Sequence, residues 1–233
     1  KELFHFRAEL RDALAKLSRS AKVVPAAIEF TDIAGLVAGA SKGEGLGNKF
    51  LSHIRETDAI AEVVRVFHDP DIIHVAGAIR PLNDIQVINL ELILSDFATV
   101  AKRREGLQKE TRGGSKEAKI LDTALARIEK ALDEGKLART AALSEEEAAE
   151  VKNLGLLTMK PILYVLNTKG GEKEIPEELK TFLRNEKYVL IDAATERDVS
   201  EASPEDRREL REGLGIGESA LDTLIRESYA LLG

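Results

Sequence analysis

The chain has 233 residues, of which 43% are hydrophobic and 32% are charged, a balance typical of a folded globular protein. Its net charge of −7 argues against a protein that binds nucleic acid over its whole surface, and no run in the sequence is apolar for long enough to span a bilayer. The sequence contains no cysteine, which excludes disulfides and cysteine metal sites and favours a cytoplasmic location.

The first part of the chain predicts short helices and strands. A helix is expected from about Ala8 to Leu17, and the apolar segment 26–30 is expected to form a buried strand that ends before Asp32. Residues 35–47 then contain five glycines. A helix around residues 50–54 and a strand over residues 59–67, rich in β-branched residues, follow.

From Leu82 the apolar residues recur at helical spacing. Segments 82–110 and 116–136 each carry an apolar stripe, with Asn83 as the expected N-cap of the first, and Arg-Gly-Gly-Ser breaks the pattern between them. No strand pattern occurs in residues 82–156, so the sequence predicts a helical hairpin inserted into a larger domain. We therefore divide the chain into 1–81, 82–156 and 157–233, the outer two segments forming one domain.

After the insertion, strands alternate with helices again. Ser144 and Glu147 have the spacing of a capping box. Segments 160–171 and 188–196 each predict a strand followed by a turn, and helices are expected after Pro176 and over the last thirty residues or so. This alternation predicts an α/β fold with a mostly parallel sheet and helices on its faces.

Three loops follow predicted strands, at 32–35, 167–170 and 193–196. In a parallel sheet such loops lie at one edge, where ligands bind. An Asp-x-x-Gly loop suits a magnesium–phosphate site, because the carboxylate can hold Mg²⁺ through water and the glycine lets a backbone N–H approach a phosphate. Alone, this short pattern more often marks a turn or helix cap. The order of the three loops, however, is that of nucleotide-hydrolysing switch proteins.

Two long segments resemble the Obg-like ATPase family, also called YchF, of the P-loop GTPase class. They are "EFTDIAGLVAGASKGEGLGNKFLSHIRETDAI" and "DPDIIHVAGAIRPLNDIQVINLELILSD", and the resemblance extends over residues 8–233. It implies a P-loop NTPase-type domain with an inserted antiparallel coiled-coil hairpin. It also implies cytoplasmic location, association with ribosomes, and hydrolysis of ATP to ADP and phosphate with Mg²⁺.

Two parts of the family pattern are missing from the 233 residues. The phosphate-binding motif G-x-x-x-x-G-K-[ST] does not occur, and the small TGS domain that follows in the family has no counterpart. We expect both to lie beyond the sequence, a degenerate paralogue being the alternative. Because the missing loop supplies most phosphate contacts, we expect these residues alone to be inactive.

The resemblance assigns a role to each of the three loops. Asp32 would organise Mg²⁺ through water and Gly35 would sense the γ-phosphate. Leu36 stands where Ras-like proteins have a water-orienting glutamine, so hydrolysis would need another group or an activating partner. The residues expected to hold the nucleotide base are Asn167, Thr168, Lys169, Ala193 and Ala194.

Gly170 bears on which base is bound. GTPases have a guanine-reading aspartate at this position, and the family typically has a glutamate. The loss of that carboxylate argues against GTP, because an unpaired guanine edge would cost discrimination. A GTPase is the alternative if Glu172 supplies the carboxylate.

Residues 102–119, at the expected hairpin tip, contain seven Lys or Arg against three Glu, a local charge of +4. Such a charged helix face is ordinarily just solvated, but the resemblance favours contact with ribosomal RNA phosphates. The expected contact residues are Lys102, Arg103, Arg104, Lys109, Arg112 and Lys116. The segment has no aromatic residue, so base stacking is not expected, and neither DNA nor a membrane is an expected partner. The alternative function is a nucleotide-independent ribosome- or RNA-binding module.

Overall fold

The structure is a computed structural model that describes residues 13, 15–23, 27–33, 46–69, 79–170, 174–203, 205–214 and 216–233. The chain divides into two compact units, Lys1–Asp32 and Ile33–Gly233, and each is described by itself. In the first unit residues 13 and 15–17 are helical, within the helix predicted from the apolar spacing.

The strand predicted over residues 26–30 is wrong at the positions that the structure describes. Residues 27–33 have no strand structure, and the side chain of Phe30 is 52% exposed. A strand is stabilised by hydrogen bonds to a neighbouring strand and by burial of a face, and the described part of this unit supplies neither to residues 27–30. Apolar composition alone therefore gives no strand here.

The second unit alternates helices with three described strands. In chain order the helices and strands are α1 (Leu46–Arg55), β1 (Ile60–Arg65), α2 (Pro81–Arg112), α3 (Lys116–Asp133), α4 (Glu145–Lys152), β2 (Ile162–Asn167), α5 (Glu177–Leu183), β3 (Lys187–Ile191), α6 (Ala193–Glu201), α7 (Asp206–Gly213) and α8 (Ala220–Leu232). Short 3₁₀ turns occupy Ala138–Thr140 and Leu157–Met159. Among the described helices, none is both long and apolar enough to cross a membrane.

The three strands form a parallel sheet in the order β1-β2-β3. β2 is central, and its residues 162–166 are all buried. On one face Tyr164 packs with Ile85 of α2 and Leu179 of α5; on the other, Val165 packs with Leu224 of α8. This confirms the predicted α/β fold with a parallel sheet and flanking helices.

Between β1 and β2 the chain forms a long helical pair. α2 has 32 residues, about 48 Å at 1.5 Å per residue, and packs against α3 through buried residues that include Leu107, Leu121 and Leu125. Gly114 between the helices has a φ of +88°, a conformation that favours glycine. Ser115 then caps α3 by accepting a hydrogen bond from Ala118 N. The division into 1–81, 82–156 and 157–233 stays a prediction.

The predicted N-cap of α2, Asn83, lies three residues too late, because the residue before the helix is Arg80. α2 begins at Pro81, so Asn83 lies in its first turn and is not the N-cap. A proline at the first helical position has a fixed φ suited to the helix and lacks an N–H that would otherwise be unsatisfied. The predicted capping box of α4 is confirmed, with Ser144 and Glu147 bonded to each other's backbone.

Candidate functional site

The three strands end at the same level of the sheet. Arg65, the last residue of β1, pairs with Asn167 of β2, which in turn pairs with Ile191 of β3. The loops that follow these strands therefore begin side by side at the carboxyl edge, the edge at which parallel α/β sheets bind ligands.

Asn167 and Thr168 join the loop after β2 to the loop after β3. Asn167 Oδ1 accepts a hydrogen bond of 3.2 Å from Ala193 N. Thr168 is buried, and both its backbone N–H (2.7 Å) and its hydroxyl (3.3 Å) donate to Ile191 O. The structure thus brings together the two loops that the sequence assigned to the nucleotide base.

The next two residues of the loop after β2 are held by carboxylates from both sides. Lys169 Nζ forms an ion pair with Asp69, which follows β1 and is only 9% exposed. Gly170 N donates to Asp192 Oδ2 at 2.8 Å. Residues 167–170, which we call the base loop, are therefore anchored at every position to a neighbouring loop or strand.

The loop after β1 is itself fixed by Arg65. Arg65 Nε donates to Phe67 O and Nη2 donates to Asp69 O, both at 3.1 Å. The guanidinium also lies 4.6 Å from the centre of the Phe67 ring, within the range of a cation–π contact. Asp69 thus presents its carboxylate to Lys169 from a well-supported backbone.

The loop predicted at 193–196 is wrong, because Ala193 begins α6. Asp192 is the N-cap, and its Oδ1 accepts from Thr195 N at 3.0 Å. Ala193 and Ala194 are exposed in the first helical turn, a place where backbone N–H groups lack intrahelical acceptors. Sequence reasoning missed both Asp192 and Asp69. The signal for Asp192 was present, since aspartate directly before Ala-Ala-Thr-Glu is a helix-start pattern.

Three further site residues were predicted from the sequence: Asp32, Gly35 and Leu36. Asp32 is exposed and belongs to the first unit. Gly35, Leu36 and Glu172 lie outside the described residues. Within the part of the chain that the structure describes, no group of three or more His, Cys, Asp or Glu side chains could hold a metal ion. A single exposed carboxylate such as Asp32 suits a magnesium ion that keeps most of its water ligands.

The predicted ribosome-contact residues on the helical pair differ in their surroundings. Arg103 is paired with Glu110 at 3.0 Å. Arg104 lies between α2 and α3, where it contacts Asp122 and Glu129.

The remaining basic residues lie further out. Lys116 is 3.8 Å from Glu146, with both side chains well exposed. Lys102 and Arg112 are also exposed, whereas the side chain of Lys109 lies outside the described atoms. Part of the basic charge therefore stabilises the helical pair. Among the members whose side chains the structure describes, Lys102, Arg112 and Lys116 face solvent.

Comparison with known proteins identifies relatives. No protein-family model matches the chain. The ribosome-binding ATPase YchF of Bacillus subtilis is 45% identical over 228 residues, which cover 94% of this chain and 62% of the relative. That of Haemophilus influenzae is 43% identical over 226 residues, covering 95% and 62%.

A solved structure gives the same result. The Schizosaccharomyces pombe YchF GTPase aligns with a TM-score of 0.77 and 32% identity, over 96% of this chain and 63% of that one. The chain thus spans about three fifths of the length of the relatives it matches. The identity to the two bacterial relatives exceeds 40% over nearly all of this chain's residues and the fold of the solved structure is shared, so the chain matches the YchF family over the part of those proteins that it spans.

Proposed function

We propose that this protein is a cytoplasmic, ribosome-associated switch that binds ATP and hydrolyses it to ADP and phosphate. The observation that carries the proposal is the base loop, which side-chain and backbone hydrogen bonds join to the start of α6 at the carboxyl edge of the sheet. The names of the relatives, ribosome-binding ATPases, support the same function.

The nucleotide base would lie beside Asn167 and the first turn of α6. Thr168 and Lys169 would form one wall, because their anchors fix the loop backbone against β3 and Asp69. Ala193 and Ala194 would form the other wall, with small side chains that leave room for a flat ring. The Ala193 N–H is bonded to Asn167, so the Ala194 N–H would be the donor to the ring. These residues would bind and orient the base, and none of them would take part in a chemical step.

Asp32 keeps the role at the phosphates that the family resemblance implies. Its carboxylate is of the type that holds Mg²⁺ through water, and Mg²⁺ would neutralise charge on the phosphates. The P-loop motif is not among these 233 residues, so binding is best tested on the full-length protein. Gly35 and Leu36 keep the roles that the family resemblance implies.

ATP is favoured over GTP because position 170 is a glycine. A carboxylate there would accept hydrogen bonds from the guanine edge, and the guanine N–H groups would otherwise lose their partners. The solved relative is named a GTPase, so GTP hydrolysis is the second candidate, with Glu172 as the carboxylate.

We predict that full-length protein binds ATP more tightly than GTP in a calorimetric titration with Mg²⁺. Asn167→Ala should weaken binding of ATP about tenfold, because the bond that joins the base loop to α6 is lost. Asn185→Ala is the matched control: Asn185 is an exposed asparagine just before β3, at the opposite edge of the sheet. Equal affinities for the two nucleotides, or tighter binding of GTP, would contradict the base assignment.

The helical pair would supply the contact with the ribosome. Its solvent-facing cations would bind ribosomal RNA phosphates, and the attraction would weaken as salt rises. If instead the protein is a nucleotide-independent module, its ribosome binding will be the same with and without ATP.

A further inference from the structure

Asp192 fixes backbone on two different elements with its two carboxylate oxygens. Oδ1 accepts from Thr195 N at 3.0 Å and so caps α6, the helix that Asp192 precedes. Oδ2 accepts from Gly170 N at 2.8 Å in the base loop. A helix cap needs only one acceptor oxygen, so the second bond is a separate feature of this residue.

The group held by the second bond is conformationally unusual. Gly170 has a φ of +68°, in the left-handed region that glycine enters at little cost and other residues rarely adopt. A Cβ at this position would meet nothing within 4 Å, so space does not select the conformation. A glycine could adopt other backbone conformations here. The charged acceptor on the neighbouring loop favours the loop conformation in which the Gly170 N–H points at Asp192.

We infer that Asp192 is a positioning residue of the nucleotide site, which holds the base loop in its binding shape from the neighbouring strand. This inference rests on the proposed function. Gly170 has no side-chain carboxylate of its own. The carboxylate of Asp192, in the loop after β3, orders Gly170 by accepting a hydrogen bond from its backbone N–H. Both oxygens already accept from backbone, so Asp192 acts through the loop.

The expected effect is on affinity and not on turnover. A loop that is ordered before the ligand arrives loses less conformational entropy on binding. Removing the bond to Gly170 should therefore raise KM and the dissociation constant for ATP and leave kcat nearly unchanged. Because the bond is exposed to solvent, competing water limits the expected loss of affinity to about fivefold.

Asp192→Asn separates the clamp from the cap. Asparagine caps helices as well as aspartate does, but its side chain has only one acceptor oxygen. With that oxygen on Thr195 N, the amide nitrogen faces Gly170 N, and two donors cannot bond. Ser144→Ala is the control for loss of a helix cap, since it removes the N-cap of α4, a helix that packs against α3.

The test measures two quantities in the full-length protein. Amide hydrogen exchange without nucleotide should show Gly170 losing protection in Asp192→Asn while Thr195 keeps it. Titration with ATP should show about fivefold weaker binding in Asp192→Asn and unchanged binding in Ser144→Ala, at a temperature where both are folded.

The outcomes separate this inference from the function on which it rests. If wild-type protein binds ATP and Asp192→Asn binds it equally well, the positioning role is wrong and the proposed function stands. If Gly170 keeps its protection in the variant, the clamp is wrong. If wild-type protein binds neither ATP nor GTP, the proposed function and this inference both fall.

Discussion

Glu62 is a buried carboxyl in the middle of β1, with a side chain that faces the packed side of the sheet. It pairs in register with Tyr164 of β2, and its Oε2 has no hydrogen-bond partner among the described residues. Burial, and to a lesser degree the nearby Asp84 of α2, raise the pKa of Glu62 from 4.5 to about 8. The folded protein therefore holds a proton there at neutral pH that the unfolded chain releases.

We predict that Glu62→Gln removes a pH dependence of stability. The folded-state pKa is above the unfolded one, so the stabilisation is complete below about pH 4.5 and is lost as pH rises through about 8. Glutamine, which is neutral throughout, should leave the variant increasingly more stable than wild type from pH 5 to pH 9. The gain should be on the order of 5 kcal/mol at pH 9, measured by urea unfolding at several pH values.

The control for this prediction is Glu178→Gln, which neutralises an exposed glutamate on α5. Its stability should follow wild type at every pH, within about 0.5 kcal/mol. A Glu62→Gln profile parallel to wild type would mean that Glu62 is ionised in the folded protein.

For single residues, the sequence predicts a functional role only where a family pattern or the local spacing identifies the residue. Asn167 and Ala193, which a hydrogen bond joins in the structure, were predicted as site residues because of their place in a known loop order. Asp69 and Glu62 could not be found, because their importance depends on Lys169 and Tyr164, which lie about a hundred residues away and approach them only through sheet pairing.

Among the elements, α2 is tied to the approach to β2 by one buried carboxylate. Asp96 accepts hydrogen bonds from Leu157 N (2.9 Å), Thr158 N (2.7 Å) and the Thr158 hydroxyl (2.7 Å). Thr158 Oγ1 accepts in turn from Ala138 N at 3.0 Å. Burial raises the pKa of Asp96 although these bonds oppose the shift. One side chain thus joins the long helix to two short turns.

We predict that Asp96→Ala lowers the free energy of unfolding by about 3 kcal/mol, because it leaves buried N–H donors without an acceptor. Chemical denaturation measures the loss. Glu105→Ala, an exposed substitution on the same helix, should change stability by less than about 0.5 kcal/mol. If both variants lose the same small amount, the network does not anchor α2.

The type of an element was predictable where an apolar pattern repeats over many residues. It was not predictable in short segments, whose structure depends on neighbouring parts of the fold. α2 and α3 carry enough turns for their apolar stripe to be distinctive. Residues 26–30 and 193–196 are short segments. The structure of the first depends on whether a partner strand is present, and that of the second on the capping Asp192. The parallel sheet followed from the alternation alone.

For the molecule as a whole, the ion pairs that Arg103 and Arg104 form with acidic side chains of the helical pair restrict which basic residues should contribute to ribosome binding. We predict that the double variant Lys102→Glu/Arg112→Glu of the full-length protein binds ribosomes at least fivefold more weakly in cosedimentation, and that the deficit shrinks as salt rises. Both side chains are exposed, so the fold should tolerate the change.

The matched control is Lys180→Glu/Arg184→Glu, which changes net charge equally at exposed positions in and just after α5. It should bind ribosomes as wild type does. Equal weakening by both double variants would show that overall charge matters and the helical pair has no special role. Arg104→Glu is unsuitable as a probe, because it would place like charges beside Asp122 and Glu129.

The position of β2 has a thermodynamic consequence. It is paired on both sides and buried along its length, and such central strands open only when the whole domain unfolds. The base loop continues directly from β2, so the strand that supports this loop takes no part in local fluctuations. A ligand bound there would add its free energy of binding to the global stability of the domain and raise its melting temperature. If the protein has the proposed nucleotide cycle, the movement that follows it would come from segments anchored less firmly.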